Sequence, residues 1–280
     1  LDVADFKLIN GTYGTKKGNE VLVYLSNAFR YYVKNGLLTR YEGDQLLGLF
    51  HCNEKLDVDR INKNINKIAE EAPIPNIRIK VGIYEDVDTT LSMPIICDRA
   101  LMAEKSISKD FKTNVAFYTN ELNQKQLAQR QMENDFKSAI ANKEFKVYYQ
   151  PKYDVQTEHI VGAEALVRWQ KLDGTLISPG AFIPLFESDG LVVHLDEYVF
   201  ESVCQFQKER MENKLPIVPI SVNLSRASIH FSDVVDRYVD IVKHKQIPFD
   251  CVPIELTESA TLYSEKILEI TDQLVKAGFK

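Results

Sequence analysis

Three short apolar runs in the second half of the chain each deliver an oxygen-bearing side chain at or near their carboxyl end. Glu164 stands in Gly162-Ala163-Glu164-Ala165-Leu166-Val167-Arg168-Trp169, Asn223 in Ser221-Val222-Asn223-Leu224-Ser225, and Glu255 in Pro253-Ile254-Glu255-Leu256. Two carboxylates and an amide with no nearby His or Cys are hard oxygen donors, a set that favours Mg²⁺ or Mn²⁺ over zinc. Spacing alone leaves a second reading open, in which Glu164 and Glu255 are surface charges and Asn223 caps a following helix. Arg168, four residues beyond Glu164, carries a planar guanidinium fork that can pair bidentately with a phosphate.

The elements that must position these groups are strands that each lead into a helix. Val161 to Trp169, Ile217 to Leu224 and Cys251 to Leu256 read as apolar strands of this kind. Repeated strand-helix units imply a parallel sheet, doubly wound or closed as a barrel, with ligands at its carboxyl edge. Upstream the pattern differs. Gly18 to Tyr32 predicts a helix with Val21, Leu22, Leu25, Ala28 and Phe29 on one face. Leu38-Thr39-Arg40 and Leu46 to Phe50 predict a hairpin about the turn Glu42-Gly43-Asp44. Helix Asp57 to Glu71, strand Ile77 to Ile83, helix Ile95 to Lys105 and strand Asn114 to Tyr118 follow. This is a β-α-β-β-α-β order and predicts an antiparallel sheet with helices on one face. Glu121 to Ala141, polar and free of Gly and Pro, predicts a connecting helix, so the expected domains are 1–120 and 142–280, joined by 121–141.

Composition narrows the partners. The 280 residues are 45% hydrophobic, enough for about two domains. Lys plus Arg number 34 against 40 Asp plus Glu, and a net charge of −6 offers no broad attraction to DNA, RNA or anionic lipid. Cys52, Cys97, Cys204 and Cys251 form no C-x-x-C pair and read as thiols of a reducing cytoplasm. No apolar run approaches the roughly 18 residues of a membrane span, so the chain is expected to be cytoplasmic. It opens on Leu1-Asp2-Val3 with a strand in progress, which places any sensory or targeting segment upstream. The five histidines have no metal-binding spacing. The run Gly11 to Gly18 lacks a Gly-Lys-Ser/Thr ending and reads as a loop before a helix.

Several motifs in order carry a family resemblance. Tyr149-Gln150-Pro151-Lys152, Glu164-Ala165-Leu166-Val167-Arg168-Trp169, Ser178-Pro179-Gly180-Ala181-Phe182-Ile183-Pro184, Val222-Asn223-Leu224-Ser225 and Glu255-Leu256-Thr257-Glu258 resemble the EAL domain family from about Glu133 onward. The resemblance implies a TIM-like (β/α)8 barrel with one strand reversed. It also implies hydrolysis of cyclic-di-GMP to the linear dinucleotide pGpG with two divalent metals, Mg²⁺ or Mn²⁺. By it, Glu164, Asn223 and Glu255 are metal ligands. Arg168 binds phosphate, Gln150 hydrogen-bonds the ligand, Leu166 touches a base, and Glu258 steadies a catalytic loop. The family's Asp-Asp pair, lysine, later glutamate and glutamine would follow Lys280. The resemblance therefore implies a fragment carrying the first half of the barrel, which would not catalyse as written. The alternative function is a cyclic-di-GMP receptor or scaffold without turnover.

The first domain resembles the GGDEF diguanylate cyclases, which implies a ferredoxin-like, cyclase-like α+β fold with its N-terminal part missing. The resemblance rests on Asp2 to Asn10, Tyr13-Gly14, Gly18 to Leu22, the hairpin Arg40 to Leu46, and Asp98-Arg99-Ala100-Leu101 leading to Lys105. Its signature reads Glu42-Gly43-Asp44-Gln45-Leu46 where the family has Gly-Gly-Asp/Glu-Glu-Phe. Glu42 adds bulk and negative charge where a triphosphate lies, Gln45 removes a carboxylate, and Asn19 replaces an acidic guanine reader. Asp2 and Asp44 remain to hold one metal, Asn10 to read guanine, and Lys105 and Lys109 to meet phosphates. Val33 and Gly36 stand where the inhibitory-site motif would be. The expected role is regulatory or dimerising, with GTP as a candidate ligand, no cyclase activity, and a homodimer through the EAL or GGDEF surfaces.

Overall fold

The computed structural model describes residues 1–33, 36–52, 55–107, 113–256 and 265–280. Lys109 and Glu258 lie outside the described residues. The chain divides into two compact units, Leu1–Leu127 and Ala128–Lys280. No described helix is long and apolar enough to cross a membrane.

The first unit runs β1 (Asp2–Val3), α1 (Phe6–Tyr13), α2 (Thr15–Tyr32), β2 (Leu37–Arg40), β3 (Leu46–Leu49), α3 (Val58–Glu70), β4 (Ile79–Ile83), α4 (Met93–Lys105) and β5 (Val115–Phe117). The stretch expected as a loop from Gly11 is helical through Tyr13. Only Gly14, at φ 83°, interrupts the path into α2, in a conformation that favours glycine. The expected antiparallel sheet is also corrected. β1 pairs antiparallel with β4, but β4 pairs parallel with β5, because α4 carries the chain back between them. Gly82 permits that crossover: a Cβ there would lie 2.1 Å from the Ala100 carbonyl oxygen and 2.3 Å from the Glu104 nitrogen. The hairpin β2–β3 pairs as expected, as a separate two-stranded sheet. Val3, Val21, Leu25, Ile65, Ile79 and Val115 fill this unit's core.

The second unit begins within α5 (Asn120–Ala141) and continues through β6 (Phe145–Tyr153), β7 (Ile160–Gln170), β8 (Leu176–Ile177), α6 (Pro179–Asp189), α7 (Val192–Glu212), β9 (Ile220–Leu224), α8 (Arg226–Ile229), α9 (Val234–Lys245), β10 (Ile254–Leu256) and α10 (Glu265–Ala277). Its sheet has the order β10-β9-β7-β6, with β8 beside β7. β7, β9 and β10 run parallel, and β6 and the two-residue β8 each run against β7. The second and third predicted strands begin three residues later than the apolar pattern implied. Pro219 and Pro253 immediately precede the first strand residues, and proline has no N–H to give to the ladder. Among the described residues the sheet does not close on itself.

Alternation decides which face of this sheet is buried. Ala163, Ala165 and Trp169 of β7, Ile220, Val222 and Leu224 of β9, and Phe145 of β6 all enter one apolar core. There Phe145, Trp169, Phe182 and Phe186 pack ring to ring, with centroids 5.0 to 6.3 Å apart. The Trp169 Nε1–H donates to the buried Glu144 Oε2 at 3.0 Å. Gln207 of α7, fully buried, donates from Nε2 to the Val218 carbonyl (2.8 Å) and the Cys251 carbonyl (2.9 Å), tying together the approaches to β9 and β10. Replacing its amide while keeping its bulk, as in Gln207→Met, strips two backbone acceptors of their donor. Urea denaturation should register a loss of about 2–4 kcal/mol, two newly unsatisfied acceptors offset in part by removal of the amide's own buried, unpartnered Oε1.

Candidate functional site

The face turned away from the core carries the other half of each strand. In β7 it holds Gly162, Glu164, Leu166 and Arg168, in β9 Ser221 and Asn223, in β10 Glu255, and in β6 Lys146, Tyr148, Gln150 and Lys152. The registers align Gln150 with Glu164, Glu164 with Ser221, and Asn223 with Glu255. All six described residues of the predicted EAL site therefore share one face.

Contacts tie the middle of this face together. The Asn223 Nδ2–H donates to Glu164 Oε1 at 2.9 Å, so it is Oδ1 of Asn223 that is left to accept. The Lys152 ammonium donates to Ser221 Oγ at 2.9 Å and to Glu255 Oε1 at 2.5 Å. That ammonium is the leading cause holding the Glu255 carboxyl below its ordinary range. Arg168 lies four residues from Glu164 along an extended strand, roughly 13 Å away. Its Nη1 donates to the Val167 carbonyl at 2.9 Å, and the guanidinium carbon stands 6.0 Å from the Tyr148 ring centre. Gln150 is exposed and Leu166 half-buried.

Glu164, Asn223 and Glu255 offer oxygen donors on three neighbouring strands. Among the described residues there is no group of three or more His, Cys, Asp or Glu able to hold a metal. Two carboxylates and one amide oxygen fit a single hard divalent cation, and a pair of cations would need further carboxylates.

Two groups that sequence reasoning missed support this face. Lys152 is one; its position two residues beyond Gln150 on β6 was the available signal. Asp196 of α7 is the other, an acid directly after the run Val192-Val193-His194-Leu195. It accepts from the Ser225 backbone N–H at 3.0 Å and from the Ser228 hydroxyl at 2.7 Å, which fixes the chain just past Asn223. Burial pushes its carboxyl up to about 6 against the pull of those hydrogen bonds.

In the first unit Asp2 and Asp44 stand close enough to interact. Burial raises the Asp2 carboxyl above its ordinary range and the Asp44 charge raises it further. Asp44 also accepts from the Val3 N–H at 3.2 Å. Beside them lie Lys80 and the buried Glu104, with Nζ and Oε1 3.9 Å apart, two charges that motif reasoning passed over. The signal was a charge within an apolar strand and another on the buried side of α4. Asn10 lies in α1 with Oδ1 buried and unpartnered, close to where a Cβ on Gly18 would sit (2.0 Å). Lys105 is exposed at the end of α4. Among the described residues no hydrogen bond or ion pair joins either of them to Asp2 or Asp44.

The EAL domain family matches residues 133–280, more than half of the chain, and the GGDEF domain family of diguanylate cyclases matches residues 1–107. The chain belongs to the EAL family. With the GGDEF match before it, the protein is a GGDEF-EAL tandem of mixed α/β fold. It is 26% identical over 289 residues to the bifunctional diguanylate cyclase/cyclic di-GMP phosphodiesterase MucR of Pseudomonas aeruginosa, a match covering 99% of this chain and 42% of that protein. It is 24% identical over 292 residues to the cyclic di-GMP phosphodiesterase PdeR of Escherichia coli, covering 99% of this chain and 43% of that protein. The chain thus spans less than half the length of these relatives. The solved structure of the PaMucR phosphodiesterase in complex with c-di-GMP is 29% identical, with a TM-score of 0.50 over 53% of this chain and 61% of that one. The S helix-GGDEF-EAL structure of Vibrio cholerae LapD matches in fold, with a TM-score of 0.54 at 16% identity over 98% of this chain and 66% of that one.

The raised Asp196 carboxyl makes stability depend on pH with a definite sign. Its native value of about 6 lies above the unfolded carboxyl near 3.8, so between them the native state binds more protons. Its contribution is fully present below pH 4 and is lost as pH rises through 6. Urea denaturation of Asp196→Asn, which keeps an oxygen acceptor, should lack this loss. Relative to the variant, the parent chain should lose up to roughly 3 kcal/mol between pH 4 and pH 7.

Proposed function

We propose that the polar face of the second unit binds cyclic-di-GMP with a divalent cation, Mg²⁺ or Mn²⁺, and that the protein carrying this chain hydrolyses it to the linear dinucleotide. One observation carries the reading. Glu164, Asn223, Glu255, Gln150, Leu166 and Arg168 come from four strands, yet alternation and register put all of them on one face. The phosphodiesterases among the relatives support the substrate class.

In this reading Glu164 and Glu255 hold the cation with their carboxylates and Asn223 with Oδ1, while the Nδ2–H of Asn223 fixes the orientation of Glu164. A cation bound there would lower the pKa of a bound water and neutralise charge on the attacked phosphate. Arg168 exchanges its backbone carbonyl for a phosphate oxygen, which its fork matches in geometry. Gln150 supplies an exposed amide to the ligand, and Leu166 an apolar surface for a base. A second cation would draw on donors beyond the described residues. Asp196 acts at one remove, by fixing the chain that follows Asn223.

The first unit serves as a regulatory or dimerising module without cyclase turnover. Glu42 and Gln45 alter the hairpin, and the Lys80 ammonium near Asp2 is a like charge that a nucleotide-bound metal would meet there. GTP at Asp2 and Asp44, and a homodimer through either unit, belong to this proposal as regulatory inputs.

A receptor that binds without turnover is the second reading, favoured by the lysine already occupying Glu255. Chromatography of cyclic-di-GMP incubated with the purified protein and Mn²⁺ separates the two. The enzyme reading expects linear pGpG, and expects Glu164→Ala to abolish its formation, a loss of at least about 10³-fold for a metal ligand of the reaction. Tight binding with no product from the parent protein would establish the receptor reading instead.

A further inference from the structure

Lys152 stands on β6 and Glu255 on β10, at opposite ends of the strand order β10-β9-β7-β6. Three strand spacings on a flat sheet amount to roughly 14 Å. Side chains standing perpendicular to a flat sheet would not meet across that distance. Their contact at 2.5 Å therefore reports a sheet curled so that this face is concave, with the lysine reaching across its floor.

Lys152 lies opposite Gly162 in the register, and a Cβ at Gly162 would come 3.9 Å from Lys152 Cδ and 3.2 Å from the Pro219 carbonyl oxygen. Beyond the glycine the ammonium meets Ser221. That hydroxyl donates to the Ala163 carbonyl at 3.3 Å and so presents its lone pairs to the lysine. The ammonium ends on the carboxylate of Glu255. Both ends of the pair remain accessible, with side chains 44% and 41% exposed, so the contact can open without breaking the core.

Resting on the metal-site reading above, we propose that Lys152 is a resident counter-cation. It neutralises Glu255 when no divalent cation is bound and must leave that carboxylate for one to bind. Metal binding at this face is then an exchange of cations rather than the filling of an empty site. An ammonium on a four-carbon stem suits the task, because it is a compact point charge that can swing away. The consequence is a metal affinity lower than the three ligands alone would give. Removing the lysine charge removes both the pair to be broken and the repulsion between the ammonium and the incoming cation.

The test is a Mn²⁺ titration of the full chain, without nucleotide, read by the electron paramagnetic resonance signal of free Mn²⁺. Lys152→Met should bind Mn²⁺ roughly tenfold more tightly than the parent, from loss of a partly exposed ion pair and a like-charge contact. Lys152→Arg should stay near the parent. On a Glu255→Gln background, Lys152→Met should give a smaller gain than it gives in the parent, since the ion-pair part of the effect acts through that carboxylate. Lys152→Gln repeats the measurement should the methionine variant fold poorly, with thermal melts monitoring each protein. Equal or weaker Mn²⁺ binding by folded Lys152→Met and Lys152→Gln overturns the inference. Failure of the metal-site reading itself looks different: Glu164→Gln and Glu255→Gln would then bind Mn²⁺ as the parent does.

Discussion

The period of two along β7 is the constraint on which the second unit rests. Ala163, Ala165 and Trp169 point into a core sealed by Phe145, Phe182 and Phe186, so Glu164, Leu166 and Arg168 must point the other way. A slip of one residue would drive a glutamate and an arginine into that aromatic cluster and expose a tryptophan. Register is therefore fixed by hydrophobic burial, and the polar face inherits its geometry from the core behind it. The Trp169–Glu144 and Gln207 hydrogen bonds reinforce the same arrangement from the buried side.

Gathering carboxylates by this means creates an electrostatic problem, and both units meet it with a lysine. In the second, Lys152 crosses the concave face to Glu255. In the first, Lys80 approaches the buried Glu104 and stabilises the charged form of Asp2, whose carboxyl burial and Asp44 push upward. The settings differ in a way that bears on function. Glu255 and its lysine are open to solvent, so the pair is weak and exchangeable. Glu104 is buried, so an ammonium removed from it would leave an uncompensated charge. On the proposed reading the second unit trades its lysine for a metal, while the buried setting of Glu104 opposes the same exchange in the first.

Much of this was legible in the sequence. The apolar strands carrying Glu164, Asn223 and Glu255 require no tertiary information to read, and ordered motifs located the family. The hairpin Leu37–Arg40 with Leu46–Leu49 followed from its turn residues. What escaped depends on contacts distant in the chain. Lys152 meets a residue three strands away, and only the curl of the sheet brings them together. Asp196 reads as one acid among many on a helix until α7 packs against the end of β9. The mixed sheet of the first unit was misjudged because strand order does not state direction, which the crossover through α4 decides. The end of α1 from Gly11 and the start of α2 read as a loop because Gly11, Gly14 and Gly18 are closely spaced, although only Gly14 leaves helical geometry.

The central claim is that the face bearing Glu164, Asn223 and Glu255 is a cation site that Lys152 guards. Anomalous diffraction at the manganese edge, from crystals of this chain grown with Mn²⁺, addresses it most directly. The account predicts a peak within bonding distance of oxygens from all three residues, with the Lys152 ammonium withdrawn from Glu255. A peak elsewhere, or no peak on that face with Lys152 still paired to Glu255 at saturating Mn²⁺, would contradict it.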